Sequence, residues 1–243
     1  MKPFLLLSHR PEDIEAEREL VDVARFGRVD VSDVEQRRLD RVELGHVDLS
    51  RYSGIFIGGG PYNVSDSSKD DLQLRVEADL FAVTRQAVED DFPYLGLCYG
   101  MGVLAGVTGG VVGREFGEAP SSPWITLTEE GRADPMLADS PDRFGAFTGH
   151  KEAVSVLPEG AVVLATGERS PHQLVRFGDN VYAAQFHPEI DSASLVARLI
   201  AYRTMGYYPE EEFEETIAWA QGADVGTASN DIIAAFVRRH ARD

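Results

Sequence analysis

Short apolar segments alternate with amphipathic helical patterns over the first hundred residues of this 243-residue chain. Buried strands are predicted at residues 4–7, 42–44, 54–57 and 93–98. Helical patterns are predicted at 12–26 and 71–88, and from Tyr99 onwards. Strands that alternate with helices imply a parallel sheet covered by helices on both faces, so we predict an α/β fold.

The pattern changes in the middle of the chain, where short strand segments are separated by turns rich in proline, glycine and charge. These segments are 124–127, 153–156, 162–165, 173–177 and 181–186. We expect them to form antiparallel strands, added to the edge of the main sheet or making a small second sheet. Helical patterns return after Asp191, and residues 204–243 are expected to be a helical C-terminal extension of the domain formed by residues 1–203.

Charge and hydropathy exclude two classes of partner. The chain has 41 acidic and 23 basic side chains, with a formal net charge of −18. Such a surface repels phosphate backbones, so nucleic acid is excluded as a partner. No apolar run approaches the roughly 18 residues needed to span a bilayer, and the apolar run at 4–7 is too short for a signal peptide. We therefore expect no membrane partner and a cytoplasmic protein.

The only cysteine, Cys98, lies in the segment Gly96-Leu-Cys98-Tyr-Gly100, between a predicted strand and a predicted helix. A single cysteine excludes an internal disulfide and a multi-cysteine metal site. The spacing matches the Gly-x-Ser-x-Gly nucleophile elbow, in which glycines relieve the crowding of a sharp turn. A helix N-terminus also stabilises negative charge on the sulfur, and the Tyr99 N–H can face a developing oxyanion. The alternative is a buried cysteine in a glycine-rich turn.

A candidate base for this thiol is His187, one of six histidines. It stands in Gln185-Phe-His-Pro-Glu189, at the end of a predicted strand. Residues two apart in extended backbone point to the same side, so Glu189 can accept a hydrogen bond from Nδ1–H of His187. Nε2 then remains free to face a thiol, as in triad enzymes. Without the cysteine elbow, His187 and Glu189 would be interpreted as an ordinary histidine at the end of a strand and a surface carboxylate. The cysteine elbow favours a catalytic role.

Three segments together resemble the class I, or triad, glutamine amidotransferases: Gly58-Gly-Gly-Pro61, Gly96-Leu-Cys-Tyr-Gly-Met101 and Gln185-Phe-His-Pro-Glu189. Within that family the resemblance is greatest to the glutaminase domain of GMP synthase, and it covers roughly residues 1–203. It implies a flavodoxin-like, doubly wound, mostly parallel sheet with added antiparallel strands. It also implies hydrolysis of the glutamine side-chain amide through a thioester, without a metal or organic cofactor.

The resemblance assigns roles to individual residues. Cys98 matches the nucleophile, His187 the base and Glu189 the residue that orients the base. The backbone N–H groups of Gly60 and Tyr99 match the two donors of the oxyanion hole.

Two further positions concern the substrate. The segment Thr148-Gly-His-Lys-Glu152 resembles a family segment that ends in Ser-His-Gly-Asp, which puts His150 near the site unless it is an ordinary loop histidine. The family usually has glutamine four residues after the nucleophile, where it helps to bind the substrate. Here that residue is Gly102, which leaves specificity for free glutamine open and gives room for a larger γ-glutamyl substrate.

Three functions remain open from the sequence. The first is a glutaminase that releases ammonia for an acceptor on a separate synthetase partner, since no synthetase domain or P-loop pattern occurs in the chain. The second is a γ-glutamyl peptide or conjugate hydrolase or transpeptidase. The third is a non-enzymatic binding protein on the same fold, which an intact triad disfavours.

Overall fold

The computed structural model describes residues 1–243 and contains a nine-stranded mixed sheet. The strands are β1 (Phe4–Ser8), β2 (Val34–Arg38), β3 (Gly54–Ile57), β4 (Tyr94–Leu97), β5 (Val111–Gly113), β6 (Glu118–Ser121), β7 (Trp124–Leu127), β8 (Arg143–Gly145), β9 (Thr148–His150), β10 (Ala153–Val156), β11 (Ala161–Gly167), β12 (Leu174–Phe177) and β13 (Val181–Ala184). The helices are α1 (Asp13–Gly27), α2 (Asp71–Glu89), α3 (Tyr99–Thr108), α4 (Glu129–Ala133), α5 (Ser192–Ala201), α6 (Phe213–Gly222) and α7 (Asp231–His240).

The main sheet has the order β2-β1-β3-β4-β13-β12-β11-β7-β8. Its first five strands pair in parallel, and this part has the strand order of the flavodoxin-like doubly wound fold. The remaining strands pair antiparallel and extend the sheet beyond β13. Two small sheets pair β5 with β10 and β6 with β9. The predicted α/β fold with added antiparallel strands is therefore confirmed.

Both faces of the parallel part are covered, as the continuous apolar character of β1 requires. Phe4 and Leu6 belong to a core cluster with residues of α1 and α7. Leu5 and Leu7 point to the opposite face and join a cluster with residues of α2 and α3. All four side chains are fully buried, and burial of each contributes about 2 kcal/mol.

The predicted strand at 42–44 is wrong. The structure places β2 earlier, over the largely polar sequence Val34–Arg38, and leaves Val42 exposed in the following loop. β2 lies at the edge of the sheet, where polar side chains are tolerated because one side of the strand faces solvent. Apolar content alone therefore located the wrong segment.

Residues 204–243 form α6 and α7 and contribute to the main core. The Phe236 ring of α7 lies 5.1 Å from Phe56 and 6.1 Å from Phe4, measured between centroids. The division of the chain after residue 203 stays a prediction. None of the helices combines the length and the apolar character that crossing a membrane requires.

Candidate active site

Cys98 lies in the turn between β4 and α3, with φ 52° and ψ −93°. A positive φ is strained for a residue with a β-carbon, and such strain is concentrated at functional sites. A β-carbon at Gly96 would approach the backbone of Gly100 to 2.7 Å, so the turn requires glycine at 96. The Cys98 N–H donates to the Ala184 carbonyl at 2.7 Å. The strained turn is thereby fixed to β13.

His187 reaches Cys98 because β13 runs parallel to β4, so that the chain leaving both strands emerges at the same edge. The His187 N–H donates to the Phe147 carbonyl at 2.8 Å. The carbonyls of Pro188 and Ile190, in the same segment, accept hydrogen bonds from the buried side-chain amide of Asn230, at 2.7 Å and 2.9 Å. The segment that carries His187 and Glu189 is therefore held at both ends.

Glu189 is fully buried and lies between two cationic groups. Its Oε1 is 2.9 Å from Nδ1 of His187 and accepts a hydrogen bond from Nη1 of Arg198 at 2.7 Å. Burial alone would raise the pKa of Glu189, but His187 and Arg198 hold that pKa well below its usual range. Glu189 is therefore an anion at neutral pH, and it accepts a hydrogen bond from Nδ1–H of His187.

The pKa of His187 is shifted in the opposite direction. Burial would lower it, but Glu189 and the neighbouring Cys98 thiol outweigh burial and raise the pKa of His187 to about 9. The structure thus brings the three residues together: His187 is paired with Glu189, and Cys98 and His187 line the same cavity. The thiolate is the nucleophilic form of a cysteine, and a neighbouring imidazole can take the proton of the thiol.

The glycine loop that follows β3 lies against this arrangement. A β-carbon at Gly59 would be 3.2 Å from Cε1 of His187 and 3.7 Å from Cβ of Cys98. The N–H groups of Gly60 and Tyr99 donate to no backbone carbonyl. Gly60 and Tyr99 both line the cleft beside Cys98, and their role as oxyanion donors stays a prediction.

His150 lies in β9 and is buried, which excludes the solvated loop histidine considered above. Its Nδ1 is 2.9 Å from the Glu152 carbonyl oxygen, and its Nε2 is 2.9 Å from Oε2 of Glu118. His150 lines the cleft beside Cys98, but both ring nitrogens are bound to protein partners. Its role in substrate binding stays a prediction.

Gly102 lines the same cleft, one turn along α3. A β-carbon there would be 3.1 Å from Cγ2 of Val64 and 3.6 Å from Oε1 of Glu152. Glu152 in turn accepts the backbone N–H groups of Val64 at 2.6 Å and Ser65 at 2.8 Å. Val64 therefore occupies part of the space that a side chain at position 102 would take. The extra room for a larger γ-glutamyl substrate is smaller than the absence of that side chain suggests.

Sequence reasoning missed several residues of the site. Arg198 could have been found, because it stands on the buried stripe of α5 between Leu195 and Leu199, where an arginine requires a buried partner. His9 and Arg10 follow β1 at the carboxyl edge of the sheet, where doubly wound folds bind ligands. The Tyr207 hydroxyl donates to the Gly60 carbonyl at 3.3 Å. No pattern in the sequence around Tyr207 predicts this contact.

Two curated relatives match more than half of the chain. GMP synthase [glutamine-hydrolyzing] of Thermosipho africanus is 31% identical over 153 residues, which are 61% of this chain and 26% of that protein. The enzyme of the same name from Lactococcus lactis subsp. cremoris is 33% identical over 142 residues, 56% of this chain and 24% of the relative. The matched part therefore spans about a quarter of the length of these relatives.

Solved structures resemble the whole chain. A glutamine amidotransferase from Thermotoga maritima has a TM-score of 0.76 at 20% identity, covering 99% of this chain and 98% of its own. A glutamine amidotransferase from Methylobacillus flagellatus has a TM-score of 0.73 at 18% identity, covering 100% and 97%. At these identities the likeness concerns the fold, and it confirms the flavodoxin-like prediction. The family model for glutamine amidotransferase class-I matches residues 21–202, most of the chain, and the chain therefore belongs to that family.

Proposed function

We propose that this protein hydrolyses the side-chain amide of glutamine through a thioester on Cys98 and releases ammonia for an acceptor on a separate protein. The observation that carries the proposal is that Cys98 and His187 line one cavity, with Nδ1 of His187 2.9 Å from Oε1 of Glu189. A nucleophile, a base and an oriented partner for that base are the parts that acyl transfer requires.

In the first step the Cys98 thiolate attacks the γ-carboxamide carbon of glutamine, and negative charge develops on the amide oxygen. The N–H groups of Gly60 and Tyr99 are the donors that stabilise this oxyanion. Each such donor contributes about 3 kcal/mol to lowering the barrier. Support for this role comes from their lack of a backbone acceptor and their position beside the sulfur.

His187 then moves the proton. The imidazolium gives its Nε2 proton to the leaving nitrogen, the C–N bond breaks, and ammonia departs from the thioester. The neutral imidazole next takes a proton from water, which attacks the thioester carbon and releases glutamate. Glu189 stabilises the imidazolium in both half-reactions and itself remains ionised, because its pKa lies well below its usual range.

The use of glutamine and the fate of ammonia are proposed from the relatives. Their name, GMP synthase [glutamine-hydrolyzing], links glutamine hydrolysis with a synthetic reaction. We place the γ-glutamyl group in the cleft of about 340 Å³ that Gly60, Tyr99, Gly102 and His150 line. The synthetase partner, like the cytoplasmic location, stays a prediction.

The proposal is tested by ammonia release from L-glutamine. The purified protein is compared with Cys98→Ala, and thermal unfolding verifies that the variant is folded. We expect release by the native protein and none above background by the variant. In parallel, the native protein is treated with 6-diazo-5-oxo-L-norleucine, a glutamine analogue that alkylates catalytic thiols with loss of N2. A folded native protein that neither releases ammonia nor is labelled at Cys98 would overturn the proposal and favour a non-enzymatic role.

A further inference from the structure

A second cavity, of about 530 Å³, opens on the side of Cys98 where His187 lies. Its walls come from α5 and from the segment that follows α5. The apolar and aromatic side chains that line it are Ile190, Leu195, Leu199, Tyr202, Tyr207 and Tyr208. Ammonia is polar and forms hydrogen bonds, so its departure alone does not account for this apolar lining.

The charged groups in this wall are already paired inside the protein. Arg10 is 2% exposed and donates from Nε to the buried Glu19 at 2.8 Å. Its Nη1 donates to the Tyr202 hydroxyl at 2.7 Å. Arg198 is paired with Glu189. Each of the two arginines thus has a buried carboxylate partner, and most of the other side chains of the lining are apolar or aromatic.

The position of His187 decides which part of a substrate enters this cavity. His187 lines the 530 Å³ cavity and is absent from the smaller cleft, whereas Tyr99 and Gly102 line only the smaller cleft. Gly60 and Cys98 lie on the boundary and line both. Since the leaving nitrogen must meet the proton of His187, any substituent on that nitrogen extends into the larger cavity.

We propose that this cavity is a leaving-group subsite, and that the enzyme prefers γ-glutamyl amides of apolar primary amines to glutamine. The inference rests on the proposed Cys98 chemistry. The Cys98 sulfur bonds to the γ-carbon, the C–N bond breaks, and the amine leaves with the proton from His187. Water then hydrolyses the thioester, so that one γ-glutamyl amide and one water give glutamate and the free amine.

The experiment compares kcat/KM for L-glutamine, γ-glutamylethylamide, γ-glutamylbenzylamide and γ-glutamyl-4-carboxybenzylamide. The last two have the same aromatic body and differ in one charge. We expect kcat/KM for the benzylamide to exceed that for glutamine by at least tenfold. The kcat/KM for the ethylamide should lie between these two values, and that for the carboxybenzylamide should be lower than that for the benzylamide.

Leu195→Phe narrows the cavity and should lower the ratio of kcat/KM for benzylamide to that for glutamine by at least tenfold. The matched control is Ile200→Phe on the same helix, because Ile200 is 55% exposed and lies outside the cavity lining. A second readout needs no variant. Benzylamine added with glutamine should capture the thioester and yield γ-glutamylbenzylamide.

The outcomes separate this inference from the proposed function. Hydrolysis of glutamine with slower turnover of the benzylamide, or a preference for the carboxybenzylamide, overturns the subsite and leaves the Cys98 chemistry standing. An equal fall of the ratio in Leu195→Phe and Ile200→Phe also overturns the subsite. No turnover of any substrate, together with no labelling of Cys98, overturns both.

Discussion

The His9 imidazole occupies the space that a β-carbon at Gly60 would need, with Nε2 as the nearest atom. The ring is fully buried, and its centroid lies 4.7 Å from that of Tyr99 and 5.7 Å from that of Tyr62. Burial, with a smaller contribution from Arg10, lowers the pKa of His9 to about 3. An uncharged ring thus fixes the distance of the glycine loop from the sheet, and with it the position of the proposed oxyanion donor at Gly60.

Gly60→Ala should therefore displace the loop and lower kcat by about a hundredfold, the loss expected for one oxyanion donor. His9→Ala removes the obstructing ring, so the double variant Gly60→Ala with His9→Ala should recover part of that loss. A double-mutant cycle on kcat measures the coupling between the two positions. Strictly additive effects would show that the packing of His9 on Gly60 does not set the donor position.

The pH dependence of hydrolysis should follow the raised pKa of His187. The protonated ring is needed to deliver a proton to the leaving nitrogen, so kcat/KM should fall as the pH rises through about 9. In Glu189→Gln the negative charge is gone while burial still lowers the pKa of His187. The alkaline limb should then move to lower pH. Profiles of kcat/KM against pH are compared with those of Glu159→Gln, which alters an exposed carboxylate. An unmoved limb in Glu189→Gln would refute the assignment.

Arg198→Ala should be strongly destabilising, because it leaves the fully buried Glu189 carboxylate without its 2.7 Å partner. Breaking a buried ion pair in this way costs about 3 kcal/mol of unfolding free energy. Arg203→Ala is the matched control, since its pair with Glu210 is exposed and contributes less than about 1 kcal/mol. Urea unfolding gives both values. A similar loss in the two variants would contradict the buried ion pair.

Asn230→Ala removes the two hydrogen bonds that hold the carbonyls on either side of Glu189. We expect a loss of about 2 kcal/mol in unfolding free energy, together with a lower kcat, because Glu189 no longer orients His187. Asn180→Ala is the control, since its side chain donates to Asp91 away from the site. Steady-state kinetics at fixed pH gives kcat for Asn230→Ala and Asn180→Ala. Equal kcat in both variants would mean that Asn230 serves stability alone.

The sequence made Cys98, His187 and Glu189 recognisable because each stands in a short segment whose spacing has a local cause. A glycine on either side of a strained turn and a two-residue interval in extended backbone are both visible without a structure. The contacts of His9 with Gly60 and of Asn230 with Pro188 join residues far apart in the chain. No local pattern reports such contacts.

The burial of a strand decides whether its sequence reveals it. Buried strands such as β3 are apolar throughout, so apolar content predicts them. The edge strand β2 is mostly polar, so apolar content does not predict it. The short strands β5 and β8 contain only three residues each, too few for a period to be read. Pairing across the sheet, which a single sequence does not display, determines these elements.

The adjacency of β4 and β13 has a consequence for how this architecture can diversify. The nucleophile follows one of these strands and the base follows the other, so a single strand pair sets their separation. Strands β7 and β8 lie between them in the chain and at the far edge of the sheet. Insertions, deletions and new surface features there leave the reacting atoms in place. Evolution can therefore remodel the outer antiparallel strands for new recognition tasks while the chemistry is inherited unchanged.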